Sequence, residues 1–145
     1  MIKILCVGKI KENYLNDLIK DYSFRINKYH KLEIIEVKDN NDIAIETSNL
    51  MKYINKNDYL IGLTIDGKSY SSIDFAAFLD KQFISNSSIT FIIGGSNGLS
   101  KEITDLCNTF ISFSSMTFPH GLFRGILLEQ IYRAFKINNN ESYHK

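Results

Sequence analysis

The chain has 145 residues, 44% of them hydrophobic and 23% charged, with a formal net charge of +1 at pH 7. A chain of that size can bury one core without disulfide or metal staples, and the composition excludes disorder, a fibrous repeat and low complexity. Near-neutrality excludes histone-like coating of nucleic acid, while a local basic patch stays compatible with an RNA partner.

In chain order, Ile2 to Val7 reads as a first strand, and Leu15, Leu18, Ile19, Tyr22, Ile26 and Tyr29 recur at helical period behind it. Leu32 to Val37 is a second strand. Asp42 to about Asn55 carries Ile43, Leu50, Met51 and Ile54 at helical spacing. Tyr59 to Ile65 is a third strand, which the turn signal Asp66-Gly67 closes. Ser71-Ser72-Ile73-Asp74 has capping-box spacing and starts a helix through Ala76, Leu79 and Phe83. Ile89 to Ile93 is a fourth strand, Ser100 caps a short helix to about Cys107, and Thr109 to Phe113 is a fifth strand. The last helix begins near Pro119, the only proline, whose missing N–H has no partner to lose in a first turn.

Strands alternating with helices predict an α/β domain spanning residues 1–145, with a mainly parallel sheet and helices on both faces. On the last helix Phe123, Ile126, Leu127, Ile131, Ala134 and Phe135 form a core stripe, with Leu128 and Tyr132 on the opposite side. A helix apolar on two sides must be covered twice, so a homodimer with this helix in its interface is expected. No apolar run approaches membrane-spanning length and the first residues are too strand-like for a signal peptide, so a soluble, cytoplasmic protein is expected. Cys6 and Cys107 lack CxxC spacing, and no histidines stand at zinc-ligand spacing, so both read as buried reduced thiols and no metal is expected.

Two loops carry the candidate chemistry. The fourth strand empties into Gly94-Gly95-Ser96-Asn97-Gly98, which reads either as a tight strand-to-helix turn or as backbone able to approach a ligand closely. It is neither the dinucleotide fingerprint nor a Walker loop, which disfavours NAD and ATP. The fifth strand leads into Ser114-Ser115-Met116-Thr117-Phe118-Pro119-His120. Hydroxyls, a thioether and phenylalanines together suit a purine and a sulfonium side chain, unless Met116 and Phe118 are ordinary core. His120 reads as a general base, an RNA-phosphate contact or a simple capping residue. Arg124, one turn on, would reach the same mouth. Glu129 and Arg133 have the spacing of an exposed ion pair, and Ser142-Tyr143-His144-Lys145 has the composition of a frayed terminus. Lys9, Lys11, Lys20, Arg25, Lys28 and Lys31, interleaved with Tyr22, Tyr29 and His30, read as a solvated face that permits RNA contact.

Phe91-Ile92-Ile93-Gly94-Gly95-Ser96-Asn97-Gly98-Leu99, Met116-Thr117-Phe118-Pro119-His120, Glu129-Gln130-Ile131-Tyr132-Arg133-Ala134 and Tyr143-His144-Lys145 together resemble the RlmH family of 23S rRNA (pseudouridine-1915-N3)-methyltransferases, in the SPOUT superfamily. The resemblance runs from Val7-Gly8-Lys9 to the tail. It implies a C-terminal trefoil knot, an exception to the rule against knotted chains, together with a homodimer and S-adenosyl-L-methionine as methyl donor. The family's donor site falls on Leu63, Gly94, Phe113, Ser114, Ser115, Met116, Thr117 and Phe118. His120, Glu129 and His144 are the candidate catalytic bases, and Arg124, Arg133 and Tyr143 the candidate RNA contacts. With no separate RNA-binding domain, the RNA site should be shared across the dimer, on an assembled ribosome. The segment between Val37 and Met51 is where the chain is expected to be shorter than its family. The rival expectation is a non-catalytic ribosome-associated binding protein on the same fold.

Overall fold

The central strands are largely apolar on both faces, and a cover of helices on each side buries them. The computed structural model describes all of residues 1–145 and builds that arrangement from ten elements. They are β1 (Ile2–Val7), α1 (Asn13–Ile26), β2 (Leu32–Val37), α2 (Ile43–Met51), β3 (Tyr59–Ser69), α3 (Ser72–Ser85), β4 (Ile89–Ile93), α4 (Lys101–Leu106), β5 (Thr109–Ser112) and α5 (His120–Asn138). The strands form one sheet in the order β2-β1-β4-β3-β5, and every pairing is parallel. The two middle strands β1 and β4 are buried along their whole length.

Side chains alternate across the pleat and so divide the core in two. Ile2, Ile4 and Cys6 join Phe91, Leu79, Leu127 and Ile131 under α1, α3 and α5. Leu5 and Val7 join Leu50, Leu60, Ile92 and Ile103 under α2 and α4. Helix starts follow their caps: Ser71 Oγ accepts from the Asp74 N–H at 3.0 Å, and Asp42 Oδ1 from the Ala44 N–H at 2.9 Å. A cation sits where the pattern suggested only core. Lys3 of β1 is 5% exposed and donates to the Tyr53 carbonyl at 2.8 Å and the Asp58 carboxylate at 3.1 Å. Burial alone would raise the pKa of Asp58, but hydrogen bonds from the Asn55 N–H and from Lys3 outweigh it and hold the carboxyl below its ordinary value.

The structure corrects several expectations. The third strand does not close at Asp66-Gly67; it runs to Ser69, and its register against β5 jumps between Leu63 and Lys68, both opposite Ile111. Residues 64–67 therefore bulge out of the ladder. Gly67 serves close approach there, since an added Cβ would lie 2.8 Å from the backbone of Ile111. The helix expected from Asp42 to about Asn55 winds only from Ile43 to Met51, the first helix ends at Ile26, before Tyr29, and the fifth strand ends at Ser112. Leu128 and Tyr132 of α5 are 1% and 7% exposed within this one chain. Tyr132 packs against Tyr22 of α1 and Tyr29 just beyond it, at ring distances of 6.0 and 6.3 Å. Helix α5 lies between α1 and α3, so its second apolar side needs no second copy. The basic face reads as expected, since Lys9, Lys11, Lys20, Lys28 and Lys31 are all exposed; within it Arg25 pairs with Asp21 at 3.1 Å, and Tyr22 and Tyr29 pack against the core.

His30 follows α1 and stacks on Phe83 at 4.6 Å, with Nδ1 buried and unpartnered. Burial, reinforced by the N-terminal ammonium, holds its pKa below the ordinary 6.5. The unfolded chain takes up this proton at a higher pH than the folded one, so stability should fall as pH drops below the unfolded value and level off under the folded one. Urea midpoints at about pH 7.5 and about pH 5.5 should differ accordingly, and His30→Phe should shrink the difference. An unaltered difference in the variant would show that His30 does not contribute.

Candidate functional site

In a parallel sheet the loops at the carboxyl ends of the strands are free to line a crevice. Here the glycine loop after β4, the loop after β5 and the bulge of β3 enclose a cavity of about 380 Å³. That volume lies in the range of small-molecule sites. Leu63, Phe113, Phe118 and Phe123 supply apolar walls, with Ser114, Met116 and Thr117 beside them. The floor is main chain: a Cβ on Gly94 would stand 2.7 Å from the Gly98 carbonyl carbon, so no larger residue fits. Gly98 has φ of +70° and donates its N–H to the Gly95 carbonyl at 3.0 Å, which folds the loop back on itself. The second loop is braced in the same way, as Ser112 Oγ donates to the Ser114 carbonyl and Ser114 Oγ accepts from the Met116 N–H. Met116 is 73% exposed, so it is not the core residue its type suggests.

Of the eight donor-site residues expected, seven line the cavity and Ser115 does not. His120, the first residue of α5, also lines it. Sequence reasoning missed Thr64, Ile65 and Asp66, which the bulge of β3 delivers to the rim. The turn signal that hid them is the Asp66-Gly67 pair itself. Burial pushes the thiols of Cys6 and Cys107 up to about 11, which makes both poor nucleophiles.

Arg124 does not reach the mouth. It is 3% exposed and donates to the Val7 and Gly8 carbonyls at 3.0 and 2.7 Å and to Glu36 at 2.6 Å. A guanidinium committed to three acceptors inside the fold is structural and has no donor pair to offer an RNA phosphate.

The other expected residues assemble elsewhere on α5 and the tail. Glu129 accepts from Arg133 Nε and from the Tyr143 hydroxyl, each at 3.1 Å, and from Gln130 Nε2 at 2.9 Å. Arg133 is not an exposed partner, with 24% of its side chain accessible, and its guanidinium lies 4.8 Å above the Tyr143 ring. Burial, with hydrogen bonds to Tyr22 and Glu129, raises the pKa of the Tyr143 hydroxyl. Arg133 also lies 3.0 Å from His144 Nδ1. A guanidinium can only donate, so Nδ1 accepts and the ring proton sits on Nε2. His144 therefore presents a donor outward, and the tail is fastened to α5 where composition suggested fraying. Glu129 lies nine positions after His120 on α5, roughly 13 Å along a helix. One chain does not bring the two groups together.

A single parallel sheet with a glycine-floored cavity at its carboxyl edge is the layout of an α/β domain that takes a small molecule there. The family model described as "Predicted SPOUT methyltransferase" matches residues 1–144, and this chain belongs to that family. Within it, the chain belongs to the RlmH family. It is 46% identical to the ribosomal RNA large subunit methyltransferase H of Clostridium botulinum (strain Langeland) and 45% identical to that of Clostridium novyi, in each case over 99% of both chains. Solved structures agree on the fold at much lower identity. A probable methylase family protein from Haemophilus influenzae matches 99% of this chain and 70% of its own, at 13% identity and a TM-score of 0.59. The SpoU methyltransferase AviRb from Streptomyces viridochromogenes matches 98% of this chain and 62% of its own, at 12% identity and a TM-score of 0.52.

Arg124→Met keeps the aliphatic stem but strands two carbonyls and Glu36, and should cost about 3 kcal/mol in urea unfolding. A variant as stable as the parent would mean that water replaces the guanidinium without loss.

Proposed function

We propose that this chain transfers a methyl group from S-adenosyl-L-methionine to N3 of a pseudouridine, of the position-1915 type, in 23S rRNA of the large ribosomal subunit. The observation that carries this reading is the cavity between the two late loops, main chain on its floor, phenylalanine on its walls and His120 at its edge. Those walls fit the proposed donor: flat apolar surface suits a purine, and serine and threonine hydroxyls suit its polar remainder. The names of the relatives supply the RNA class.

When bound, the donor supplies an already activated methyl group, so the protein's task is positioning. Leu63, Phe113 and Phe118 hold the flat part, while Gly94 and the segment 113–118 provide main-chain contacts. In this reading His120, which lines the cavity, takes the N3 proton. Glu129 and His144, engaged by Arg133 and Tyr143, orient the tail for RNA contact. Because those groups lie far from His120 in one chain, we infer a homodimer in which the tail of one copy completes the cavity of its partner. The same reading includes a C-terminal trefoil knot in the segment carrying the two loops, an S-adenosylmethionine enzyme acting in the cytoplasm, and an assembled ribosome as substrate.

Calorimetry with S-adenosylmethionine should give roughly micromolar affinity, about −8 kcal/mol. Gly94→Ala, whose methyl would lie 2.7 Å from the Gly98 backbone, should weaken it at least about tenfold. No heat and no thermal protection by the donor would favour a non-catalytic ribosome-associated binding protein on the same fold.

Mass spectrometry of rRNA from cells with and without this protein should show loss of one N3-methylpseudouridine. His120→Ala should depress kcat more than KM and alter the pH–rate profile; an unchanged profile would remove His120 as the base.

A further inference from the structure

The mechanism leaves one buried carboxylate unused. Glu46 of α2 is 2% exposed. Its Oε2 accepts from the Asn40 N–H at 2.7 Å, and its Oε1 is buried with no partner. No lysine or arginine pairs with it, and Arg124, which reaches the end of the neighbouring strand β1, is committed to Glu36 and to backbone carbonyls. Such a group costs stability with no local return.

Its position gives it a use. Glu46 lies directly behind the glycine loop: a Cβ on Gly95 would stand 3.8 Å from Glu46 Oε2, and Gly95 is part of the cavity wall. Asn40, which Glu46 holds through its N–H, accepts in turn from Asn97 Nδ2 at 3.0 Å, so the carboxylate and the loop are fixed relative to each other. Only the main chain of the glycine loop stands between this carboxyl group and the cavity. Through a partly buried medium, unit charges about 10 Å apart still interact strongly enough to change an affinity about tenfold.

We infer that Glu46 is the counter-charge for a sulfonium in the cavity, and that it makes the site prefer the cationic donor over the neutral thioether left once the methyl has gone. This rests on the S-adenosylmethionine reading above and adds to it a source of discrimination. Glu46 touches neither ligand; it acts through the loop and is a positioning charge. A role confined to bracing Asn40 would affect both ligands alike, because the loop does not distinguish them by charge.

The test is calorimetric, on the full chain, with S-adenosylmethionine and S-adenosylhomocysteine. Glu46→Gln keeps an oxygen for Asn40 and removes the charge. It should weaken the methionine form about tenfold and leave the homocysteine form within about twofold. Glu46→Asp, which keeps the charge, should retain the preference. Equal losses for both ligands in Glu46→Gln, or no change in either, would overturn the inference, as would loss of the preference in Glu46→Asp. If Glu46→Gln does not fold, as judged by thermal unfolding, Glu46→Asp decides alone. Wild-type protein that binds neither ligand would instead overturn the donor reading itself.

Discussion

The buried guanidinium of Arg124 is the tie on which the placement of the site depends. It grows from the first turns of α5 and closes on the last carbonyl of β1, on the Gly8 carbonyl and on Glu36 of β2. Three charge-assisted bonds in a buried setting fix the start of a helix more firmly than apolar contact alone, because apolar packing tolerates sliding and a fork of donors does not. With that start fixed, Pro119 and His120 have one position relative to the sheet. The loop after β5 must then span from the end of its strand to that point across the mouth of β4. The cavity is the space this crossing leaves over the glycine loop.

The two loops divide the work by chemistry. The glycine loop supplies surface without side chains: a Gly94 Cβ would collide with Gly98, while Gly98 is needed for its φ of +70° rather than for space. The other loop supplies the side chains, with its hydroxyls partly spent on its own backbone. Asn97 and Asn40 then link the floor to α2, so the face of the sheet opposite α5 also bears on the site. Both layers of the fold therefore control one crevice, each through a polar contact inside an otherwise apolar scaffold.

Much of this could be read from the sequence because the strands are apolar on both sides and the caps have short, specific signatures. Ser71 and Ser100 announced helices that the structure confirms through their hydroxyl acceptors. The failures share a cause. Asp66-Gly67 signals a turn, yet glycine is equally needed where one strand presses on another, and local sequence does not separate the two uses. A charge beside a candidate mouth reads as surface, so Arg124 was expected at the opening and the burial of Lys3 gave no sign. Leu128 and Tyr132 seemed to require a second chain because nothing in the pattern says that Tyr22 and Tyr29 already cover them. The tail looked loose on composition, and only the partners of Tyr143 and His144 show otherwise.

Apolar area on α5 does not call for a partner, since α1 and α3 consume it. The dimer proposed above rests instead on polar geometry. Glu129 spends its lone pairs on Arg133, Tyr143 and Gln130, and His144 turns its remaining ring proton outward. This set is built to hold a tail in one orientation and present a donor, and its Glu129 is more than two helical turns from His120 on its own chain. A rigidly held donor is of use only near an acceptor it can meet. In the proposed dimer, the cavity of the second copy is where such a tail and an RNA strand would meet.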